Sequence, residues 1–502
     1  MRNTKPAAVD PVRRKFLQVA AAGVAIGGLG LKPASSVALG RTTASQREPA
    51  EAGASSKSQN IFEVVIVGAG LSGLTTARDL KLSGLASFVV LEARNRVGGR
   101  TFNHDLGHGQ VSDAGGQWFG PGQSSVEELS KQLSVGSFHT YYEGKTMILG
   151  GQGRMAVDLK GGFGMDGKVA DALTALAKDV NAAEPWKSTR AAELDRINLG
   201  EWLVQQGIKP ADRFSWNLAG LLTGGSSPGR VGLLQFLATI HSGGRYEKVE
   251  EIRDSAQESR FVGGSQLLSI RMAEMLGDHV RLASPVRRIE NWDGDIVSLH
   301  TDQGELRARR VVMALHPALC NKIEFSPALP DRRAALQRDW PAIDPLRKTA
   351  MVYARPFWRD KGLSGSVLQV DGPILWAYDN SPPRSEIGVI NAFVNAGQLP
   401  SEPKAAERIQ SEIYARALGP EALKPLSYHD HDWAMADEWG VTCLPAYPPG
   451  YLTTHGNALL EPCGHLIWSG TETASRWTGY MDGAVSAGHR TARQLLDLVR
   501  IT

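Results

Sequence analysis

Cysteine is nearly absent from this chain. Only Cys320, Cys443 and Cys463 occur in 502 residues, which excludes a disulfide framework, since at least one thiol must stay unpaired. Their scatter contains no pair at C-x2-C spacing, so no cysteine zinc site is written here. Excess charge is lacking too. The formal net charge is +3, without the clustered basic patch that nucleic-acid binding demands. Beyond residues 1–40 there is no long apolar run, so no membrane anchor is expected in the mature chain. Internal repeats are missing, which excludes solenoid and propeller arrays.

What remains is an ordinary globular composition, 42% hydrophobic and 21% charged. This length predicts two or three domains. Glycine is abundant, at 55 residues, and much of it falls in tight clusters.

The first forty residues read as a targeting segment rather than as fold. A basic start ends in Val12-Arg13-Arg14-Lys15-Phe16-Leu17, and small and apolar residues run from Val19 to Leu31. That run suits a signal h-region. The arginine pair before Phe-Leu resembles the twin-arginine export signal, although Val12 stands where serine or threonine is usual. Export to the periplasm by that route is expected. Residues 41–60, rich in Ser, Ala, Gln and Glu, read as a linker.

From Phe62 the pattern changes. Glu63-Val64-Val65-Ile66-Val67 is a short β-branched run, the sign of a buried parallel strand. It leads into Gly68-Ala69-Gly70-Leu71-Ser72-Gly73, then a helical pattern from Leu74 to Ser83 with Gly84 as its stop. A second strand, Ser87–Leu91, closes on Glu92. Gly68 permits the tight turn, Gly70 lets backbone approach a pyrophosphate, and Gly73 lets the helix pack on the strand. The helix N-terminus offers free N–H groups to phosphate. Glu92 can accept from a ribose diol, and its charge disfavours a 2′-phosphate. A lone GxGxxG is weak, but strand–turn–helix–strand context with the acid in place identifies a dinucleotide site.

Two further glycine turns follow closely, in Arg94-Asn95-Arg96-Val97-Gly98-Gly99-Arg100-Thr101 and in Asp113-Ala114-Gly115-Gly116-Gln117-Trp118-Phe119-Gly120-Pro121. Near the C-terminus stand Ser469-Gly470-Thr471-Glu472-Thr473 and Trp477-Thr478-Gly479-Tyr480-Met481-Asp482-Gly483. Together with Phe261-Val262-Gly263-Gly264-Ser265 and Ser284-Pro285-Val286, these strings resemble the flavin monoamine oxidase family over residues 60–502. The resemblance implies FAD as cofactor. It places Arg94, Gly99, Arg100, Gly116 and Gln117 along the cofactor, Val286 at the adenine, and Gly470, Glu472, Gly479, Tyr480 and Met481 at the ribityl and pyrophosphate end. The implied fold is α/β: a Rossmann-type FAD-binding domain from 60–137, 261–337 and 436–502, with an inserted α+β substrate domain from 138–260 and 338–435.

The same resemblance implies oxidation of a primary or secondary amine by hydride transfer to flavin, giving an imine that water hydrolyses to a carbonyl compound. Lys348 matches the family lysine that holds water near the flavin. Tyr480 matches one wall of an aromatic cage, and Trp433 a tryptophan set against the flavin. Counting back from Pro448-Pro449-Gly450 puts Cys443 where the other cage aromatic usually stands, and Thr442 where some members carry a flavin-linked cysteine. Either the cage is half-built, or a one-residue shift brings Cys443 to the flavin; non-covalent FAD is the expectation. Trp118 and Phe119 are further pocket candidates. The turn Gly120-Pro121-Gly122-Gln123 lacks the arginine that amino-acid oxidases use for a carboxylate, although Arg230, Arg245 and Arg260 lie in the substrate segments. Glu247, Glu250 and Glu251 are the carboxylates a polyamine oxidase would need. Bacterial nicotine-pathway amine oxidases resemble the chain in signal and motifs, so a pseudooxynicotine-like amine is the expected substrate class. The electron acceptor is oxygen or a c-type cytochrome, the latter making the enzyme a dehydrogenase. A homodimer stays open.

Overall fold

The computed structural model describes residues 61–151, 153–159, 162, 166–209, 213–342, 346–441 and 446–501. The expected signal and linker, and with them Thr442 and Cys443, lie outside the described residues.

The first sheet is built on a parallel centre. Ile61–Val67 pairs on one side with Phe88–Leu91 and on the other with Gly304–Met313. Val64–Val67 and Phe88–Leu91 are buried throughout, as strands covered on both faces must be. The long strand Gly304–Met313 serves two neighbours. Its first half pairs antiparallel with Val297–Thr301, and its last three residues pair parallel with Leu466–Trp468. Val286–Glu290, Glu324–Ser326 and Val280–Arg281 complete eight strands.

This register aligns four carboxyl ends. Val67 is level with Leu91 and with Met313, and Met313 with Trp468. Gly68, Glu92 and Ala314, which follow their strands directly, and Gly470, two residues past Trp468, therefore border one crevice, where ligands of open α/β sheets bind. The helix Leu71–Leu82 leaves the first strand there, starting three residues earlier than its apolar pattern predicts. The closing helix Met481–Ile501 packs along it. A Cβ at Gly488 would stand 2.6 Å from the Ser72 carbonyl oxygen, and Thr76 Oγ1 donates to the Gly488 carbonyl at 3.2 Å.

The second sheet has seven strands in the order Ser427–Asp432, Leu346–Tyr353, Gly388–Asn395, Ile374–Asp379, Leu363–Gln369, Lys145–Gly150, Gly153–Val157. Opposed residues in such a ladder share a face. Lys348 is level with His431 on one side and with Phe393 on the other, and Phe393 is level with Trp376. One row across the sheet thus reads His431, Lys348, Phe393, Trp376. Helices Gly167–Ala177, Leu199–Gln205, Arg213–Gly224 and Leu233–Gly243 pack beyond it, around a core that includes Leu173, Trp216, Phe236 and Tyr246. Among the described residues, no helix is long and apolar enough to cross a membrane.

Candidate active site

The crevice continues into a cavity with about 1930 Å³ of empty space, open to solvent at its mouth. Its floor is the glycine turn. Gly68 has φ +108°, and a Cβ there would meet the Ala314 carbonyl oxygen at 2.6 Å. Gly73 lies behind the surface, where a Cβ would come to 2.0 Å from the Gly68 carbonyl oxygen; it sets helix-to-strand packing. Gly70 faces the void.

The helix begun at Leu71 has no side-chain cap and no acidic residue in its first turn. Its orphan N–H groups and positive dipole end therefore open onto the cavity, a ready anion site. The Glu92 carboxylate accepts from the N–H of Ala69 at 2.9 Å and of Arg94 at 3.0 Å. That fixes its angle while lone pairs remain for a diol. The second glycine turn touches the first through a bridge between Gly70 and Gly98, and Gly99 lines the cavity beside them. Val286 also lines the cavity. Arg94 lines the cavity too, its guanidinium clamped onto Asp437 by bonds of 2.7 and 2.8 Å.

The C-terminal motif closes the other wall. Ser72 Oγ lies 2.6 Å from Ser469 Oγ and accepts the Gly470 N–H at 3.0 Å, tying the first helix to the last loop. Gly470, Gly479, Tyr480 and Met481 line the cavity. Glu472 does not. Its carboxylate is buried behind the wall, where Arg100 grips it at 2.7 and 3.2 Å and His316 Nε2 stands 4.0 Å away. Burial alone would push the Glu472 carboxyl up, but Arg100 and His316 outweigh that and hold it below its ordinary range. Glu472 therefore orients Arg100, which lines the cavity, and itself borders a second, smaller one. Burial brings His316 down to about 4, so a neutral imidazole sits on the main cavity wall. The closing helix does not offer a bare positive end, because its first turn carries Asp482, which accepts the Val126 N–H at 3.0 Å.

The seven-stranded sheet roofs the far end. Lys348 is 2% exposed. Its Nζ donates to the Gly115 carbonyl at 2.8 Å and to the side-chain oxygen of Gln117. The rings of Trp118 and Phe393 each lie 5.4 Å from the ammonium. The same Gln117 oxygen accepts from Tyr378 Oη at 2.8 Å, while Gln117 Nε2 donates to Asn380 at 2.9 Å. The amide orientation is thus fixed, and with it the ammonium. Gly116 lines the cavity beside them. Trp433 donates its indole N–H to the Ala114 carbonyl at 2.8 Å and faces the cavity. Trp118 stacks on Trp376 at 5.4 Å. Phe119 points away, stacked on Phe261 in the core of the first sheet.

Sequence reasoning missed Trp376, Phe393 and His316. For Trp376 a signal existed: in Ile374-Leu375-Trp376-Ala377-Tyr378 the two aromatics alternate onto one strand face. The candidate acids and arginines of the substrate segments stay off the cavity wall. Arg245 pairs with Asp171 and Glu247 at the surface, Arg230 donates to the Ala342 carbonyl, and buried Arg260 donates to the Asn380 carbonyl. Glu250 is buried, and both its oxygens lack hydrogen-bond partners among the described residues; desolvation, then Glu251, drives its carboxyl well upward. Charged side chains on the described wall are Glu92, Arg94, Arg100 and Lys348.

A glycine cradle under an uncapped helix end, a fixed glutamate beyond it and an aromatic roof over the opposite end set the class. The fold and site belong to an oxidoreductase that uses a dinucleotide cofactor. Comparison with known proteins supplies the family. Residues 71–496 match the family described as flavin containing amine oxidoreductase. Flavin-containing amine oxidase A of Equus caballus is 32% identical over 455 residues, which cover 87% of this chain and 85% of the relative. Cyclohexylamine oxidase from Brevibacterium oxydans IH-35A superposes with a TM-score of 0.80 at 30% identity, covering 88% of this chain and all of its own. Wild-type putrescine oxidase bound to putrescine gives 0.79 at 30% identity, covering 87% and 99%. The chain belongs to the flavin-containing amine oxidase family, an FAD enzyme acting on amines.

Proposed function

We propose that the enzyme oxidises a primary or secondary amine whose tail is uncharged, flat and apolar, a secondary alkyl-aryl amine such as pseudooxynicotine being representative. The product is an imine, which water hydrolyses to a carbonyl compound. One observation carries the reading. The roofed end of the cavity is walled by Trp118, Leu222, Trp376, Phe393, Trp433 and Tyr480, and its charged group is the Lys348 ammonium. A second substrate ammonium meets no carboxylate from a described side chain there, and Lys348 Nζ is already engaged by Gly115 and Gln117.

The glycine cradle, the open helix end and Glu92 fit an FAD diphosphate and ribose. FAD, when bound, supplies the acceptor for the hydride lost from the amine α-carbon. The chain's residues do the positioning. Tyr480 flanks the nitrogen, its ring favouring the charge that develops there, and Trp433 stands on the flavin side. Lys348, held by Gly115 and Gln117, keeps its side-chain nitrogen at a fixed place on the cavity wall. Trp376 and Phe393 grip the tail and exclude water. Trp376→Ala is expected to raise KM for 2-phenylethylamine about tenfold, equivalent to roughly 1.4 kcal/mol of lost tail contact, with KM for butylamine little changed. Equal rises for both amines, or a preference for 1,4-diaminobutane, would remove the reading.

The FAD is held without a covalent bond in this proposal; the described cysteines, Cys320 and Cys463, lie off the cavity wall. Acid precipitation should leave the yellow colour in the supernatant; a yellow pellet reverses the assignment and points to Cys443.

A further inference from the structure

Trp477 has a backbone conformation that bulky residues avoid. Its φ is +56°, in the left-handed region where a non-glycine residue costs about 1–3 kcal/mol and persists only if its surroundings enforce it. The surroundings here are specific. The indole N–H donates to the Gly122 carbonyl at 2.9 Å, and the backbone N–H donates to Ser242 Oγ at 3.1 Å. The ring is 1% exposed and stands edge-to-face against Tyr480, with centroids 5.1 Å apart at 70°. The Tyr480 N–H in turn donates to the Trp477 carbonyl at 3.0 Å. Glycines make room for it on two sides. A Cβ on Gly243 would lie 3.4 Å from Trp477 Cη2, and one on Gly483 would lie 2.2 Å from its carbonyl oxygen.

Trp477 therefore joins three distant segments: the turn at Gly120-Pro121-Gly122, the end of helix Leu233–Gly243, and the loop that delivers Tyr480. It is not on the described cavity wall, whereas Tyr480 is. We propose that Trp477 is a positioning residue for the reaction, its strained backbone and anchored indole holding the Tyr480 ring at the angle that flanks the substrate nitrogen. This rests on the reading of Tyr480 as an amine wall. Ser242, on a helix of the substrate half, belongs to the same device because it fixes the Trp477 backbone.

The test uses holoenzyme and anaerobic stopped-flow bleaching of the flavin by 2-phenylethylamine. Trp477→Phe keeps a ring but loses the bond to Gly122. It should slow the limiting bleaching rate by about tenfold to a hundredfold, as displacement of a reacting geometry by an ångström does, with amine Kd and FAD content unchanged. Ser242→Ala should act in the same direction by about threefold, and it carries the test if Trp477→Phe does not fold. In a Tyr480→Ala background neither change should slow bleaching further, since residues acting through one group do not add. Losses that multiply in that background, or single variants that bleach at the native rate, overturn the inference. Native bleaching in Tyr480→Ala alone removes the amine-wall reading and the inference with it.

Discussion

Gly70→Val is expected to give a protein that folds normally and stays colourless. Gly70 has φ −77° and ψ 178°, an extended conformation open to any residue, so valine meets no backbone strain there. Apart from its chain neighbours, no described atom lies within 4 Å of an ideal Cβ at Gly70, so the first atom of a side chain has room. The space it enters is the cavity above the helix end, where backbone must approach the cofactor diphosphate. The loss therefore falls on binding alone. FAD affinity should drop by on the order of a hundredfold, equivalent to about 3 kcal/mol, while the melting temperature of the cofactor-free protein stays within a degree or two of the native one. Gly73→Ala is the contrasting case. Its Cβ would stand 2.0 Å from the Gly68 carbonyl oxygen and 3.2 Å from Ala314 Cβ, so the helix must lift off the strand and the cofactor-free protein itself loses stability. Absorbance at 450 nm and thermal unfolding of both apoproteins separate the two effects. A Gly70→Val protein that purifies yellow with native FAD affinity would place the diphosphate elsewhere.

The contrast also shows what local sequence can and cannot carry. The strand, the glycine turn and Glu92 lie within about thirty residues, so their geometry follows from one βαβ unit. The start of the helix was less legible. Nine of its twelve residues are buried, because the closing helix and Gln266–Leu276 pack against it. A helix covered on most sides has no clean apolar stripe to read. Glu472 shows a different limit. Its motif marks it for the cofactor, but its partner Arg100 is 372 residues away, and the ion pair turns the carboxylate behind the wall. The row His431, Lys348, Phe393, Trp376 is likewise drawn from four strands whose register only the folded sheet defines. Lys348 was visible by resemblance. The rings that cage it were not, apart from Trp118, because alternation tells which residues share a face and not which strand lies beside which.

Lys348→Met should slow reoxidation of the flavin by oxygen by on the order of a hundredfold, the usual scale for removing one preorganised charged donor from a dry site. Methionine keeps the length and apolar stem of lysine and suits the space between Trp118 and Phe393, so the sheet should tolerate it. It leaves one donor fewer on the Gly115 carbonyl and one fewer on Gln117, whose side-chain oxygen still accepts from Tyr378 Oη at 2.8 Å and whose amide still bonds Asn380. The amide therefore stays in place, and what disappears is the charge. That charge is buried beside aromatic faces, where low dielectric magnifies it, and it favours negative charge accumulating in the cavity after the amine has been oxidised. The bleaching step, in which the substrate nitrogen becomes positive, should change much less and could even gain, because a nearby cation opposes it. Double-mixing stopped-flow measures both steps in one preparation: bleaching by 2-phenylethylamine without oxygen, then recovery of absorbance on adding it. Lys348→Arg keeps the charge and should recover part of the lost rate, limited by the bulk of the guanidinium between the two rings. Recovery at the native rate in Lys348→Met, with bleaching slowed instead, would move the lysine from the oxygen step to the amine step and require a different placement of substrate under the aromatic roof.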